Sequence, residues 1–351
     1  MEGINRHELT ANGKKISYLD GGPHDGPLLI FIHGWPSTAT TWKPQLIAFA
    51  HLGFRVIAPD MPGYGESTVS RDVRDYSLER IVAGLLALLS HVERTEAVWI
   101  GHDWGSPVVW SLVAHHPEVS VGVVNLCVPY RTLEFGHDDI LQYTNRTIYP
   151  ADQYPYGQWD YQVYYEKEPE KATKFFESNV TNVVTLLYSH TDPATYGKPA
   201  FTARVTHDGG WFGGAASPPD VPRSISFLDD EVFKAETEAL TRNGFFGATA
   251  YYLNHDVNRA YSLKSVNGGV LTVPTLFIEA RYDPVCSTAT SRLAEPMRKY
   301  IKHLTETSIE AGHWVNLEKP LETNAALSRW LATTLPSYWP WYWKNPLVSQ
   351  G

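Results

Sequence analysis

Within AVWIGHDWGSPVVW (97–110) a carboxylate stands between two glycines, G-x-D-x-G over 101–105, where an apolar strand-like run meets a helix-like one. A sharp turn of this kind needs glycines around it, because the backbone is strained and neighbouring segments crowd it, and it presents the middle side chain at the end of a sheet. Asp103 is therefore the candidate nucleophile, and its type decides the chemistry. A serine at such a turn suits attack on carbonyl carbon; at saturated carbon it would form an ether that water does not readily cleave. A carboxylate instead forms an alkyl ester, which water hydrolyses at the carbonyl in a second step. The residue type predicts displacement at an sp³ carbon and excludes an ordinary esterase or lipase.

The second step needs a water activated by a base, with an acid behind the base. His313, in EAGHWVNLEKP, and Asp283, at the end of FIEARYD, follow Asp103 in the order nucleophile, acid, histidine, each at the end of a strand-like run. His313 is expected to deprotonate water, and Asp283 to orient its ring and stabilise the imidazolium. The tetrahedral intermediate also requires an oxyanion hole. The Gly34-Trp35-Pro36 turn is expected to aim the Trp35 N–H at Asp103, beside the N–H of Trp104. No metal and no cofactor is expected: His115-His116 is a helix-end pair, and no H-E-x-x-H or comparable spacing occurs.

The elements that must position these groups read as alternating α/β. PLLIFIHG (27–34), RVIAPDMPG (55–63), AVWIGHD (97–103) and VGVVNLCVP (121–129) are short, nearly all apolar runs, as buried parallel strands are. Between them SLERIVAGLLALLSHV (77–92) carries Leu78, Ile81, Val82, Leu85, Leu86 and Leu89 at helical spacing, with Ser77 as its N-cap, and SPVVWSLVAHHP (106–117) reads as the next helix. From about 131 to 260 the chain turns rich in Tyr, Trp, Gly and Pro and lacks buried-strand runs. The pattern resumes with VPTLFIEARYD (273–283), HLTETSIEAGH (303–313) and the amphipathic ETNAALSRWLATTL (322–335). This predicts a mostly parallel sheet flanked by helices, a core of 1–130 and 261–351 interrupted by a mainly helical cap over 131–260. The aromatic tail SYWPWYWKNPLVSQG is expected to pack on the core.

Composition narrows the class. The 351 residues are 43% hydrophobic, enough for a large core without covalent staples. Only Cys127 and Cys286 occur, so free thiols and a reducing, cytoplasmic setting are expected. No run resembles a signal peptide or a membrane span. A formal net charge of −9 with no Lys/Arg cluster argues against nucleic acid as a partner. The Asn-x-Thr sequons at Asn145 and Asn179 matter only in a secreted protein.

Taken together, HGWP (33–36), PDMPGYGES (59–67), GHDWGS (101–106) and AGHWVNLEKP (311–320) resemble the epoxide hydrolases of the α/β-hydrolase fold, particularly the soluble fungal and plant types without a phosphatase domain. The resemblance implies a small-molecule epoxide and water as partners, a vicinal diol as product, and a cis peptide at Trp35–Pro36. It also implies two cap tyrosines that donate to the epoxide oxygen. DYQVYY (160–165) resembles the segment carrying the first, on Tyr161, and AYYLNHDVN (250–258) the second, on Tyr252, with Tyr164, Tyr165 and Tyr251 one slip or one turn away. Ring opening develops alkoxide charge, and a phenol with pKa near 10 donates to it while staying neutral at pH 7. Two rivals remain open. A haloalkane dehalogenase also has Asp followed by Trp, but halide needs no proton donor, and its turn resembles HGNP or HGEP. A non-catalytic receptor on the same scaffold would tolerate loss of a catalytic group, yet Asp103, Asp283 and His313 are all present.

Overall fold

The computed structural model describes Met1 and residues 3–344, the last by its backbone only. Eight strands form one sheet: β1 (Ile4–Ala11), β2 (Lys14–Gly21), β3 (Leu28–Ile32), β4 (Arg55–Pro59), β5 (Ala97–His102), β6 (Ser120–Leu126), β7 (Thr275–Ala280) and β8 (Leu304–Ile309). Their spatial order is β1-β2-β4-β3-β5-β6-β7-β8. Strands β3 to β8 pair in parallel; β1 pairs antiparallel with β2, and β2 antiparallel with β4. Every residue of β3, β4 and β5 is buried, which is why these runs carry Leu, Ile, Val and Trp without alternation.

The chain enters the parallel sheet at β3, steps outward to β4, then crosses back to β5 on the other side of β3. The carboxyl ends of β3 and β5 therefore diverge at a topological switch point, the crevice where open α/β sheets bind ligands. The Gly34-Trp35 turn leaves β3 there, and Asp103 leaves β5 there.

The strand-like runs all fall on strands, shortened at one or both ends, with β6 beginning one residue earlier at Ser120. The β1–β2 hairpin is additional to that reading; its signal was the Asn12-Gly13 pair, both residues at positive φ, the two-residue turn that antiparallel strands favour. Helix α1 (Lys43–His51) is likewise additional. Helix α2 (Leu78–His91) buries Leu78, Ile81, Val82, Leu85 and Leu89 as its spacing predicts, with Leu88 rather than Leu86 completing the stripe. Ser77 occupies its N-cap position but makes no capping bond through its side chain. The Asn258 side chain, from the inserted segment, accepts the Leu78 N–H at 2.9 Å instead. Helix α3 (Gly105–His115) follows the Asp103 turn.

Between β6 and β7 no strand occurs among the described residues, only helices and loops, the longest being Asp160–Lys167, Pro169–Ser178, Val180–Leu187, Asp230–Asn243 and His255–Ser262. This segment packs Tyr165, Phe176, Trp211, Phe245 and Tyr252 into an aromatic cluster that continues onto Trp35 and Trp104, just past the ends of β3 and β5. At the other end of the chain Tyr338 locks onto β3, its hydroxyl donating to the Leu28 carbonyl at 3.1 Å and accepting the Leu28 N–H at 3.0 Å. Trp339 packs edge-on against Phe54. The last part of the aromatic tail, 345–351, lies outside the described residues. Cys127 and Cys286 are free and buried, and no helix among the described residues is long and apolar enough to cross a membrane.

Candidate active site

Asp103 sits at φ 51°, the left-handed region that a residue with a Cβ rarely adopts. The strain falls on the aspartate, and the glycines of its turn serve close approach. A Cβ on Gly105 would lie 2.1 Å from the Ile32 carbonyl oxygen, and one on Gly101 would lie 2.3 Å from the Asn125 side-chain oxygen. Gly34 is needed for the same reason from the β3 side, since its Cβ would stand 2.3 Å from Asp103 Oδ1 and 2.6 Å from the Trp104 nitrogen. Crowding from three directions holds the carboxylate in one position.

That position satisfies each oxygen differently. The Trp35 N–H donates to Asp103 Oδ1 at 2.5 Å. The Trp104 nitrogen and this oxygen both crowd the position a Gly34 Cβ would take, at 2.6 and 2.3 Å, with no hydrogen bond between them. Oδ2 faces His313 Nε2 at 3.3 Å. The peptide bond before Pro36 is trans, as are all those of the described residues, which corrects the cis bond the resemblance implied. The trans form is the lower-energy isomer of an X-Pro bond, and in this turn it already points the Trp35 N–H at the carboxylate.

His313 is held at both ends of its ring. Nδ1 lies 2.8 Å from Asp283 Oδ2, while Asp283 Oδ1 accepts the N–H groups of Val285 at 2.8 Å and Cys286 at 3.0 Å. Its carbonyl oxygen accepts the His102 Nε2–H at 2.7 Å and the Cys127 thiol at 3.1 Å. Burial opposes a charge on the imidazole, but Asp283 and Asp103 outweigh it and raise the group to about 10. Burial alone would also push the Asp283 carboxyl up; the His313 charge and the two N–H donors hold it below its ordinary range instead. His102, equally buried, lacks such a partner, and desolvation lowers it to about 4, so its ring is neutral and donates.

Above this triad lies a cavity of about 590 Å³ bounded by Trp35, Asp103, Tyr161, Tyr252, Asp283 and His313 among others. Tyr161 and Tyr252 come together with ring centroids 5.7 Å apart. Their neighbours do other things: the Tyr251 hydroxyl donates to the Pro62 carbonyl at 3.1 Å, and Tyr164 and Tyr165 do not line the cavity. Burial pushes both lining phenols well above their ordinary range, and the nearby Asp103 charge adds to this, so both keep their protons. The Gln162 amide donates to the Tyr161 hydroxyl at 3.1 Å. With its oxygen occupied as acceptor, Tyr161 has its own hydrogen free to donate into the cavity.

Sequence reasoning passed over three groups here. Gln162 adjoins Tyr161 in DYQ. Tyr188 donates to the Pro36 carbonyl at 3.0 Å and so braces the Gly34-Trp35-Pro36 turn. Segment 190–225, without an assigned role in the sequence, supplies much of the cavity's outer wall, including Pro199, Trp211 and Pro218.

The α/β-hydrolase fold family profile matches residues 27–320, and the chain belongs to that family. Among characterised relatives, it is similar to epoxide hydrolase A of Mycobacterium tuberculosis, 29% identical over 324 residues that make up 92% of this chain and 96% of that one. It is also similar to bifunctional epoxide hydrolase 2 of Sus scrofa, 29% identical over 97% of this chain, though this chain spans only 56% of that protein's length. Among solved structures, epoxide hydrolase A from Mycobacterium thermoresistibile superposes with a TM-score of 0.71 at 27% identity, covering 94% of this chain and 98% of that one. An epoxide hydrolase from an endophytic Streptomyces, 24% identical with a TM-score of 0.77, shares the fold.

Proposed function

We propose that the protein is an epoxide hydrolase that opens an epoxide through an ester on Asp103 and releases a vicinal diol. The observation that carries this reading is the pair of buried, protonated tyrosines facing a carboxylate nucleophile across one cavity. A halide leaving group has no use for two phenol donors, whereas an epoxide oxygen needs them.

In the proposed cycle Asp103 Oδ2 attacks a ring carbon while Tyr161 and Tyr252 donate to the opening oxygen. Oδ1, already held by the Trp35 N–H, becomes the ester carbonyl oxygen. Water then attacks that carbonyl, with His313 taking its proton and Asp283 stabilising the imidazolium; Trp35 and Trp104 N–H groups receive the oxyanion. The inserted segment, 131–260, serves as the cap that supplies the tyrosines, and the cavity's aromatic walls suit an apolar epoxide. The two buried thiols fit a reducing cytoplasmic setting.

The charge state of His313 sets the order of steps. Between two carboxylates the ring is an imidazolium and cannot accept a proton. Once Asp103 is an ester its negative charge is gone, and the ring loses one of the two partners that raise it. The base is thus released by the chemistry that precedes its use.

A single turnover in ¹⁸O-labelled water tests the ester. The first diol should carry unlabelled oxygen from Asp103, with label entering the carboxylate; label in that first diol would overturn the mechanism.

A further inference from the structure

Away from the triad, three side chains from separate parts of the chain converge where the inserted segment leaves and rejoins the core. They are His137, on the short helix His137–Leu141; Glu166, on the helix Asp160–Lys167; and His255, which opens the helix His255–Ser262. His137 Nδ1 lies 3.1 Å and His255 Nε2 3.3 Å from the same oxygen, Glu166 Oε1. All three candidate ligand atoms fall within 4.8 Å of one another. In a tetrahedral shell with bonds of about 2.0–2.1 Å, neighbouring ligand atoms stand about 3.3 Å apart, so two of the three spacings already match.

Two further features separate this cluster from a surface ion pair. The His255 side chain is 10% exposed, and neither of its ring nitrogens makes a hydrogen bond, although Nε2 lies 3.3 Å from Glu166 Oε1. A buried imidazole without partners is costly unless something completes it. The other nitrogen of His137, Nε2, lies 2.9 Å from Asp138 Oδ1, and an outer carboxylate on the far ring nitrogen is how metal-bound histidines are usually oriented. Glu166, 30% exposed, leaves the site open to an ion from solvent.

We infer that His137, Glu166 and His255 form a binding site for a divalent transition-metal ion of the zinc type, with water completing the shell. Two imidazoles and one carboxylate favour such an ion over magnesium or calcium, which take all-oxygen shells. The ligands lie 29 and 89 residues apart along the chain, which is why no local motif marks them. The site is not catalytic, since none of the three lines the active-site cavity. Its bonds would pin together the exit from the core, the helix that carries Tyr161 and the segment that follows Tyr252. The His255 ring also packs 6.4 Å from Trp104, next to the nucleophile. A bound ion would therefore stabilise the inserted segment on the core.

Calorimetric titration of chelator-treated full-length protein with zinc chloride tests this, with cobalt(II) chloride as a spectroscopic stand-in. The expected result is one equivalent bound, a visible band for cobalt of reduced coordination number that zinc displaces, and a melting temperature that rises with zinc. Glu166→Gln, which keeps the shape of the side chain, and His137→Ala should each lower zinc affinity at least about tenfold with circular dichroism unchanged. His313→Ala should leave it intact, which separates this site from the His102, Cys127 and His313 cluster in the triad. Zinc affinity unchanged in Glu166→Gln, loss of binding in His313→Ala, or no binding at about 100 μM zinc, where even a weak site of this type would fill, would each overturn the assignment.

Discussion

Replacing Asp283 with asparagine should stop the reaction halfway. Asp283 Oδ1 accepts two backbone N–H groups, from Val285 and Cys286. In the variant those donors hold the amide oxygen, so the NH₂ group must face His313 Nδ1, now 2.8 Å from Oδ2. An NH₂ group donates, so Nδ1 must accept, and the ring proton is forced onto Nε2. That nitrogen then cannot take a proton from water. The imidazolium also loses its counter-charge when Asp103, as an ester, provides none. At about 4 Å and an effective dielectric near 20, that loss is about 4 kcal/mol, or roughly a thousandfold in rate. Ester hydrolysis should therefore fall about 10³- to 10⁴-fold.

Ester formation should fall less than hydrolysis, because neither the tyrosines nor the Trp35 donor contacts Asp283 and solvent water can supply the proton that the imidazolium would otherwise give the opening oxygen. Rapid quench with a styrene-type epoxide should show a burst of one equivalent, followed by almost no turnover. Intact-protein mass spectrometry should find one added epoxide, on the peptide that contains Asp103. If formation and hydrolysis fall by the same factor, or no adduct accumulates while hydrolysis slows, Asp283 does not act through the His313 base.

Tyr161→Phe and Tyr252→Phe should each slow ester formation about 10- to 100-fold, the worth of one hydrogen bond to developing charge, measured in single turnovers; equal slowing of hydrolysis would indicate a packing role. His313 links folding to pH. Its folded value of about 10 exceeds its ordinary 6.5, so its contribution is fully present below pH 6.5 and is lost as pH rises through 10. Denaturant titrations of the wild type should show that loss, and Asp103→Asn should shift it to lower pH. Glu236, buried beside Thr38, is raised to about 8 chiefly by desolvation. A raised acid penalises folding increasingly from pH 4.5 up to about 8, so Glu236→Gln should stabilise by about 2–4 kcal/mol at pH 8 and hardly at all at pH 4 in the same assay.

The parts of the fold legible in sequence are those where one local pattern has one physical meaning. The runs of β3, β4 and β5 are buried on both faces, so they read as uninterrupted apolar segments. The Asp103 turn reads because three glycines are demanded by approaches of 2.1–2.3 Å, to the Ile32 carbonyl and to the side-chain oxygens of Asn125 and Asp103, that any Cβ would make. Tyr161 and Tyr252 needed a family resemblance, since the inserted segment has many tyrosines and only tertiary packing separates Tyr252 in the cavity from Tyr251 on the Pro62 carbonyl. The β1–β2 hairpin carried its signal in Asn12-Gly13, but its outer strand is mostly exposed, so hydrophobic pattern did not reinforce it. Asn258 capping α2 across 180 residues had no local signal at all.

Charge explains how the proposed nucleophile, Asp103, and the proposed base, His313, can coexist in one small volume without interfering. His313 Nε2 stands 3.3 Å from Asp103 Oδ2 and so has the reach to protonate it, which would abolish nucleophilicity. Asp283, at 2.8 Å on the other nitrogen and buried, keeps the ring charged without taking its proton, while the Trp35 N–H donates to Asp103 Oδ1. In the proposed cycle the site starts as a His313 imidazolium between the Asp103 and Asp283 carboxylates. On that reading, attack on an epoxide would remove one negative charge from this row. The imidazolium, left with a single counter-ion, then gives up a proton more readily, and the nearest acceptor of suitable basicity is the alkoxide just formed, by way of Tyr161, Tyr252 or water. One proton would thus neutralise the leaving oxygen and leave His313 as the base for the second step, so the two halves of the reaction are coupled through a single ring.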